Sequence, residues 1–558
     1  MEKPTGEELL KRYDALDGEC GTIKNHWQEI VDYMLPTRGN IITRTAMGAK
    51  RTAKIFDGTA TRALRIFANG LYGHLTTPSS PWFALSTRNK EALKDSDTEI
   101  WLRESAERMH AALAASNFGR SIHEVYTDLG ALGTAPLFLE RDDELILNFT
   151  AFCIGSVRIA ENANGVVDTV LRKDRLTVRQ VMQRWPDEAP EHVKKEFENG
   201  NVFAKIEILH ACMPREDRDP SKRDRENMAF AGYYVDIKTK EIIHETGYRR
   251  NPYMVPRLEK DSDEVMGRSL GMDALPDVKQ LNRMSHDDLR AIQKMIDPPI
   301  AMRKETSMSN VSTVPGSILY YKGDQPPHAL QSGGNYQIAV DAEEKRRQAI
   351  MQTFYADLFM LLAQKPGNDM TATEVLERVE EKLILLGPIL GRLQNELFDP
   401  VLANTFWILL EEGIIAPPPR ALVGSAVEIE YINKLALAMR AFESNAMQQT
   451  VTGVIQLSQS VPEIRDNVDF DKFAQGLSKR NGTPLEIMNT PKQVVRIRQL
   501  RAQAQAKAQQ DAQLMEAAKA IPMGKAVERN SPLDLLSGGQ IAGDSGGAAG
   551  GAAPSSGG

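Results

Sequence analysis

Met266-Gly267-Arg268-Ser269-Leu270-Gly271-Met272-Asp273-Ala274-Leu275-Pro276-Asp277-Val278-Lys279-Gln280-Leu281-Asn282 is the stretch on which the rest of the chain is read. It opens on glycine and a hydroxyl side chain, then places Leu275, Val278 and Leu281 at helical spacing, with Leu289, Ile292 and Ile296 continuing the pattern. Asp297-Pro298-Pro299 stops that helix, because proline removes a donor and fixes φ. Residues 300–335 form a loop-and-strand insertion containing Ser317-Ile318-Leu319-Tyr320-Tyr321, and a second helix returns over 336–363. A polar break at 364–370, Gln364-Lys365-Pro366-Gly367-Asn368-Asp369-Met370, precedes a third, longer helix from Thr371 to about Glu411. Each of the first two helices, about 28 residues at ~1.5 Å per residue, is roughly 40 Å long.

Helix, small insertion, returning helix, short loop and long kinked helix resembles the stem, clip, stem and tunnel loop of phage portal proteins. The similarity is to the head-to-tail connectors of short-tailed, podovirus-type bacteriophages, and other motifs extend it. Leu10-Lys11-Arg12-Tyr13 and Trp27-Gln28-Glu29-Ile30 through Tyr33-Met34-Leu35-Pro36 resemble the opening helix. Asp57-Gly58-Thr59-Ala60 with Leu71, then Pro78 and Pro81-Trp82-Phe83-Ala84-Leu85, resemble a helix leading into a Trp-bearing strand. Gly267-Arg268-Ser269, Leu275-Pro276-Asp277, Leu281-Asn282 and Leu393-Gln394-Asn395-Glu396-Leu397 with Pro400 follow in order. Each motif is short; their order along the chain carries the resemblance.

The resemblance implies an α+β, multi-domain portal fold: a wing over 1–265, a first stem helix over 266–299, a clip over 300–335 and a second stem helix over 336–363. A tunnel loop at 364–370 follows, then the long kinked helix and the rest of the wing over 371–430, and a helical crown over 431–525. It also implies a ring of twelve copies at one capsid vertex of the virion, assembled in the host cytoplasm. Double-stranded DNA passes through such a ring, which meets terminase, tail or adaptor, capsid and scaffolding proteins. Gln364, Lys365 and Asn368 in the tunnel loop would touch DNA, and a crown helix bearing Arg496, Arg498 and Arg501 would face packaged DNA. For any one of those arginines, a solubilising helix surface is the better account.

Bulk properties are compatible with this. The 558 residues, 42% hydrophobic, suffice for several domain-sized units. Cys20, Cys153 and Cys212 are widely spaced, so a disulfide framework is not expected. No charged-then-apolar leader opens the chain and no apolar run approaches a membrane span, so a soluble protein without a membrane partner is expected. A net charge of −7 argues against tight DNA binding, which depends on lysine and arginine neutralising phosphates. A pore through which DNA slides must hold the duplex weakly. The first stem-like helix sets Lys279, Arg283, Arg290 and Lys294 against Asp273, Asp277, Asp287, Asp288 and Asp297, which suits a channel wall or a plain solvated face.

Towards the N-terminus, periodicity predicts helices over 5–36, 58–75 and 96–115, with 37–57 a basic linker and Ser121–Leu132 leading into strands. Asn164-Gly165 marks a hairpin between 156–160 and 166–170, because glycine takes the positive φ of a tight turn. A second hairpin pairs 229–236 with 241–245, and short helices at 177–185 and 188–198 interrupt the strands. Ala416-Pro417-Pro418-Pro419 is a rigid boundary. Helices are expected over 432–460, 468–478 and 491–520, and the Gly/Ala/Ser-rich 526–558 is expected to be disordered.

Two chemical patterns are present. Gly267-Arg268-Ser269-Leu270-Gly271 satisfies GxSxG, the nucleophile elbow of serine hydrolases, which requires a buried strand running into the serine. The preceding Asp261-Ser262-Asp263-Glu264-Val265-Met266 is a poor one. Ser269 is read as a helix N-cap, Gly267 as a point of close backbone approach, and Arg268 as an anchor to a buried carboxylate. His210 and Cys212 share one strand face, the placement of a metal-binding pair, but no second pair accompanies them. No GxxxxGK[ST] phosphate cradle appears. The expected protein is a structural channel, not an enzyme, without metal or cofactor; a Ser269 hydrolase and a non-channel DNA-binding scaffold are the alternatives.

Overall fold

The computed structural model describes residues 3–296 apart from short breaks within 39–47, at 79, at 90–94 and within 217–223. It also describes 300–301, 328–329, 336–363, 385–432 apart from 423, 450–480 apart from 459–460, and 491–519. The chain divides into two units, the first ending at Pro462 and the second starting at Glu463.

In the first unit, the predicted opening helix is two: α1 (Gly6–Glu19) and α2 (Gly21–Met34), meeting at Cys20. Thr5 starts α1 with a capping box, its hydroxyl accepting from Glu8 N–H while Glu8 accepts from Thr5 N–H. After the linker come α3 (Thr59–Leu75), β1 (Phe83–Thr87), α4 (Ser96–Ala115) and α5 (Phe118–Leu132). The strands β2 (Leu137–Asp142), β3 (Ile146–Ala151), β4 (Val157–Glu161), β5 (Val167–Thr177), β6 (Lys205–Pro214), β7 (Phe230–Asp236), β8 (Ile242–Tyr248) and β9 (Tyr253–Met254) follow, with α6 (Val178–Arg184) and α7 (Glu191–Glu198) between β5 and β6. An antiparallel five-stranded sheet runs β4-β5-β6-β7-β8 and a three-stranded one β3-β2-β9.

The period-two pattern of β6 explains how its sheet is covered. Leu209, Ala211 and Met213 face α1, where Leu9, Leu10 and Tyr13 bury, while Ile208 on the opposite face packs with Val178, Val181 and Trp185 of the α6–α7 pair. Glycine acts at the β4–β5 hairpin as expected, but the turn differs. Gly165 N–H donates to Asn162 C=O at 2.9 Å, and Gly165 at φ 72° is the turn's one residue at positive φ. The loop closes over three residues rather than two, with Asn162 N–H donating to Val166 C=O at 2.9 Å, and the ladder slips at Ala160/Glu161.

The helix α8 spans Leu270–Ile296, with Pro276 inside it. Two short strands, β10 (Ile300–Ala301) and β11 (His328–Ala329), pair antiparallel, and most of the 300–335 insertion between them, with Tyr320 and Tyr321, lies outside the described residues. The returning helix is broken into α9 (Tyr336–Thr353) and α10 (Ala356–Ala363). Tyr355 at φ 52° makes the break, and burial of Phe354, Leu358 and Phe359 supports it. A Cβ on Gly70 of α3 would lie 2.3 Å from the Phe359 ring, so that glycine lets α10 seat.

Residues 364–384 lie outside the described set. Helix α11 (385–393) passes through a π-turn at Gln394–Phe398 into α12 (Asp399–Glu411), a kink with an identifiable cause. Beyond the prolines comes β12 (Val427–Tyr431), a strand that the sequence did not suggest, paired antiparallel with β1. Its residues alternate charged and apolar, but they pair with a strand more than 300 positions away. One core joins α2, α3, α5, α8, α9 and α12 around Trp27, Phe67, Tyr126, Phe354 and Phe398. A further helix, α13 (450–457), belongs to this unit. The second unit contains α14 (Phe470–Arg480) and α15 (Pro491–Lys519). No described helix is long and apolar enough to cross a membrane.

Candidate functional site

Two linked nodes hold α8 and α9 to the rest of the first unit, and most of the quoted motifs converge on them. The first is the turn into α8. Helix α5 ends at Gly133 in the left-handed conformation, φ 80°. Its last turn and the residue after the cap supply partners for the incoming chain: Gly267 N–H donates to Thr134 Oγ1 at 2.8 Å, and Ser269 Oγ donates to Ala131 C=O at 2.8 Å. The same Ser269 oxygen accepts from Met272 N–H at 3.0 Å, capping α8. A Cβ on Gly267 would lie 2.4 Å from Gly133 O, so the two backbones touch where neither residue carries a side chain.

That geometry disfavours the nucleophile elbow. Ser269 is 2% exposed and its proton is engaged by a backbone carbonyl, with no imidazole among its hydrogen-bond partners.

The anchoring expected of Arg268 belongs to another arginine. Arg268 is 44% exposed and pairs with Glu264, one helical turn's spacing away and itself partly exposed, with Nε at 2.6 Å. Its backbone, not its guanidinium, fastens the turn, with Arg268 N–H donating to Glu259 C=O at 2.7 Å. The buried guanidinium is that of Arg257, 2% exposed. It pairs with Glu161 at the end of β4 and with Glu396 in the π-turn, Nη2 lying 2.6 Å from Oε1. It also donates to Val265 C=O at 3.2 Å and Gly165 C=O at 3.1 Å. Lys260 and Arg392 supply additional positive charge to Glu161 and Glu396. Burial tends to raise the Glu161 carboxyl, but hydrogen bonds from Lys260 and Arg257 hold it below the usual range. Thus the β4–β5 hairpin, the approach to α8 and the kink before α12 share one charge cluster.

The second node lies a few turns along α8. Asn282 is buried, and its Oδ1 accepts from Phe56 N–H at 2.7 Å and Asp57 N–H at 3.2 Å. Asp57 in turn accepts from Thr59 N–H at the start of α3 and from Arg347 Nε of α9 at 3.1 Å. Burial pushes the Asp57 carboxyl up, yet the bonds from Thr59 and Arg347 prevail and hold it below the carboxylate range. Arg347 also binds Glu343, which accepts from Ser285 Oγ of α8 at 3.0 Å, and Arg346 binds Asp277 at 2.7 Å. Burial and the neighbouring Glu343 raise the Asp288 carboxyl. The Asp57 and Leu281-Asn282 motifs therefore meet in space, joining α3, α8 and α9.

The other singled-out residues separate. Gln364, Lys365 and Asn368 lie outside the described residues. On α15, Arg496 and Arg501 are exposed, whereas Arg498 binds Asp471 of α14 through two nitrogens at 2.7 and 2.6 Å. His210 stacks on Tyr234, ring centroids 4.2 Å apart, and its Nδ1 lies 2.6 Å from Tyr253 Oη. Burial holds that imidazole neutral, well below its usual range, and Cys212 packs with its Sγ 3.8 Å from Asn251 Oδ1. Both are buried in the core, with His210 Nε2 lacking a hydrogen-bond partner among the described residues. Arg257 and Arg347 were not singled out and Glu396 entered only within a motif, because the pairs that join distant elements, Arg257 with Glu161 and Glu396 and Arg347 with Asp57, lie far apart in sequence and no local spacing signals them.

The family model for the bacteriophage head to tail connecting protein matches residues 6–488. The probable portal protein of Bordetella phage BPP-1 is 34% identical over 520 residues, covering 91% of this chain and 93% of that one. The portal protein of Salmonella phage epsilon15 is 30% identical over 542 residues, covering 95% of each. A chain of the virion of a native gene transfer agent particle aligns at a TM-score of 0.34 and 11% identity, over 73% of this chain and 91% of that one, too distant to bear on the fold. With a match along most of its length and both nodes within the matched span, this chain belongs to the bacteriophage head to tail connecting protein family.

Proposed function

We propose that the chain is a phage portal protein. Copies of it close into a ring at one capsid vertex, DNA passes through the ring during packaging and ejection, and terminase and then tail proteins dock on it. The observation that carries this reading is the near end-to-end match to two phage portal proteins. The geometry is consistent with it: α8 and α9 run antiparallel, clamped at one end by Asn282, Asp57 and Arg347, and carry the insertion at the other. That arrangement suits a rigid two-helix strut in a channel wall. The proposed domains are those of the family, with 266–299 and 336–363 as stem, 300–335 as clip and 364–370 as tunnel loop. In this reading Lys365 gives each subunit one weak, salt-sensitive hold on passing phosphates.

Infection by a phage lacking this chain, complemented with wild-type or Lys365→Glu protein, tests the reading. Without the chain, DNA-filled heads are absent; wild type restores them, and Lys365→Glu restores heads that retain less DNA at raised salt. Full, infectious particles without the chain would overturn the portal reading, whereas identical DNA retention by Lys365→Glu would remove only the tunnel-loop role.

A further inference from the structure

The α8–α9 hairpin carries opposite charge on its two outer flanks at nearly one height. Ser285 of α8 touches Glu343 of α9, so those positions mark the sides on which the helices face each other. At about 100° per residue, Arg290 and Lys294 lie about 140° and about 180° round α8 from Ser285, turned away from α9. By the same count Asp341 and Glu344 lie about 160° and about 100° round α9 from Glu343, turned away from α8. The helices run antiparallel, so Arg290 and Asp341 are displaced along the hairpin by only about 5 Å at ~1.5 Å per residue.

Arg290, Lys294, Asp341 and Glu344 are all exposed, and Arg290, Gln293, Lys294 and Ile296 line an open recess of about 750 Å³. Most other charges on α8 are engaged: Asp277 with Arg346, Lys279 with Glu29, and Arg283 with Asp287. Arg290, Lys294 and Asp341 have no ion-pair partner among the described residues.

We infer that Arg290 on one subunit pairs with Asp341 on the next, forming the seam between neighbouring hairpins. This rests on the ring proposed above. A head-to-tail ring needs two different, complementary patches on opposite flanks, and rotation about the ring axis preserves height. Opposite charges at one level on the two flanks meet both conditions. Complementary charge fixes register and rejects wrong neighbours, and like charges placed there oppose association.

The test compares ring yield on a sizing column for wild type, Arg290→Glu, Asp341→Arg and the double reversal. Each single reversal is expected to lower ring yield about tenfold at low salt, and the double reversal to restore it. In a second arm, Arg290→Cys/Asp341→Cys is oxidised and run without reductant. Covalent oligomers larger than a dimer are expected from the double variant and not from either single one. If wild type forms no ring, the portal reading fails before the seam is tested. If wild type forms rings, single reversals match it and the cysteine pair gives no ladder, the seam is wrong. If the reversals change DNA retention but not assembly, those charges face the channel, which also overturns it.

Discussion

Arg257→Ala should open the turn into α8 without dissolving the sheets, and its size follows from what the side chain touches. The guanidinium is buried against two carboxylates and two backbone carbonyls. Removing one partner of a buried ion pair costs about 3–5 kcal/mol, mostly from stranding the other charge. Lys260 and Arg392 remain beside Glu161 and Glu396, so the lower half of that range is expected. The comparison variant is Arg268→Ala, whose partly exposed pair is worth about 0–1 kcal/mol. A chain of this size need not unfold in two states, so the assay is native-state hydrogen exchange read on peptides spanning 257–272 and 394–398. A loss of about 3–4 kcal/mol appears as about 10²–10³-fold lower protection there, at roughly tenfold per 1.4 kcal/mol. Arg268→Ala should stay within tenfold of wild type. Equal protection in Arg257→Ala and Arg268→Ala would refute the reasoning.

Ser269→Ala should cost about 0.5–2 kcal/mol through loss of the α8 cap, seen as earlier exchange at Met272, and a fluorophosphonate probe should label neither form; specific labelling of wild type at Ser269 would restore the hydrolase reading. Gly267→Ala places a methyl 2.4 Å from a backbone oxygen and should cost about 1–3 kcal/mol by overpacking, with soluble yield as the readout. Asp128 is buried, and that burial outweighs its pairing with Arg38 and pushes its carboxyl up to about 6. Its contribution to stability is therefore present below the unfolded value near 3.9 and is lost as pH rises through about 6, a change of about 3 kcal/mol. Asp128→Asn, whose amide imitates the protonated carboxyl, should lose that dependence, so thermal denaturation of the two proteins should agree near pH 4 and diverge towards pH 7, with the wild type falling below the variant; parallel curves would contradict it.

Helical elements with strong periodicity were legible because their burial is local. Thr59–Leu75 and Leu270–Ile296 follow from the spacing of Leu64, Phe67 and Leu71, and of Leu275, Val278 and Leu281. Gly18 and Gly21 flank Cys20, a glycine signal for a helix stop that a single helix over 5–36 ignores, so the division of α1 from α2 was legible locally. The break at Tyr355 was hidden because its cause is tertiary: Phe354 and Phe359 bury against α3. The cap by Ser269 and the close approach at Gly267 follow from short-range chemistry. Arg257 did not, because its carboxylates lie on β4 and in the π-turn, each about a hundred or more positions away. Local sequence specifies caps and turns, whereas long-range charge clusters require the fold.

Negative-stain class averages of the purified full-length chain, without nucleotide or metal, test the central claim most directly. A heterologous interface that closes leaves no free end, so the averages should show discrete rings with a central hole and no open filaments. A monodisperse monomer at micromolar concentration in mild salt, or compact particles without a hole, would contradict a channel.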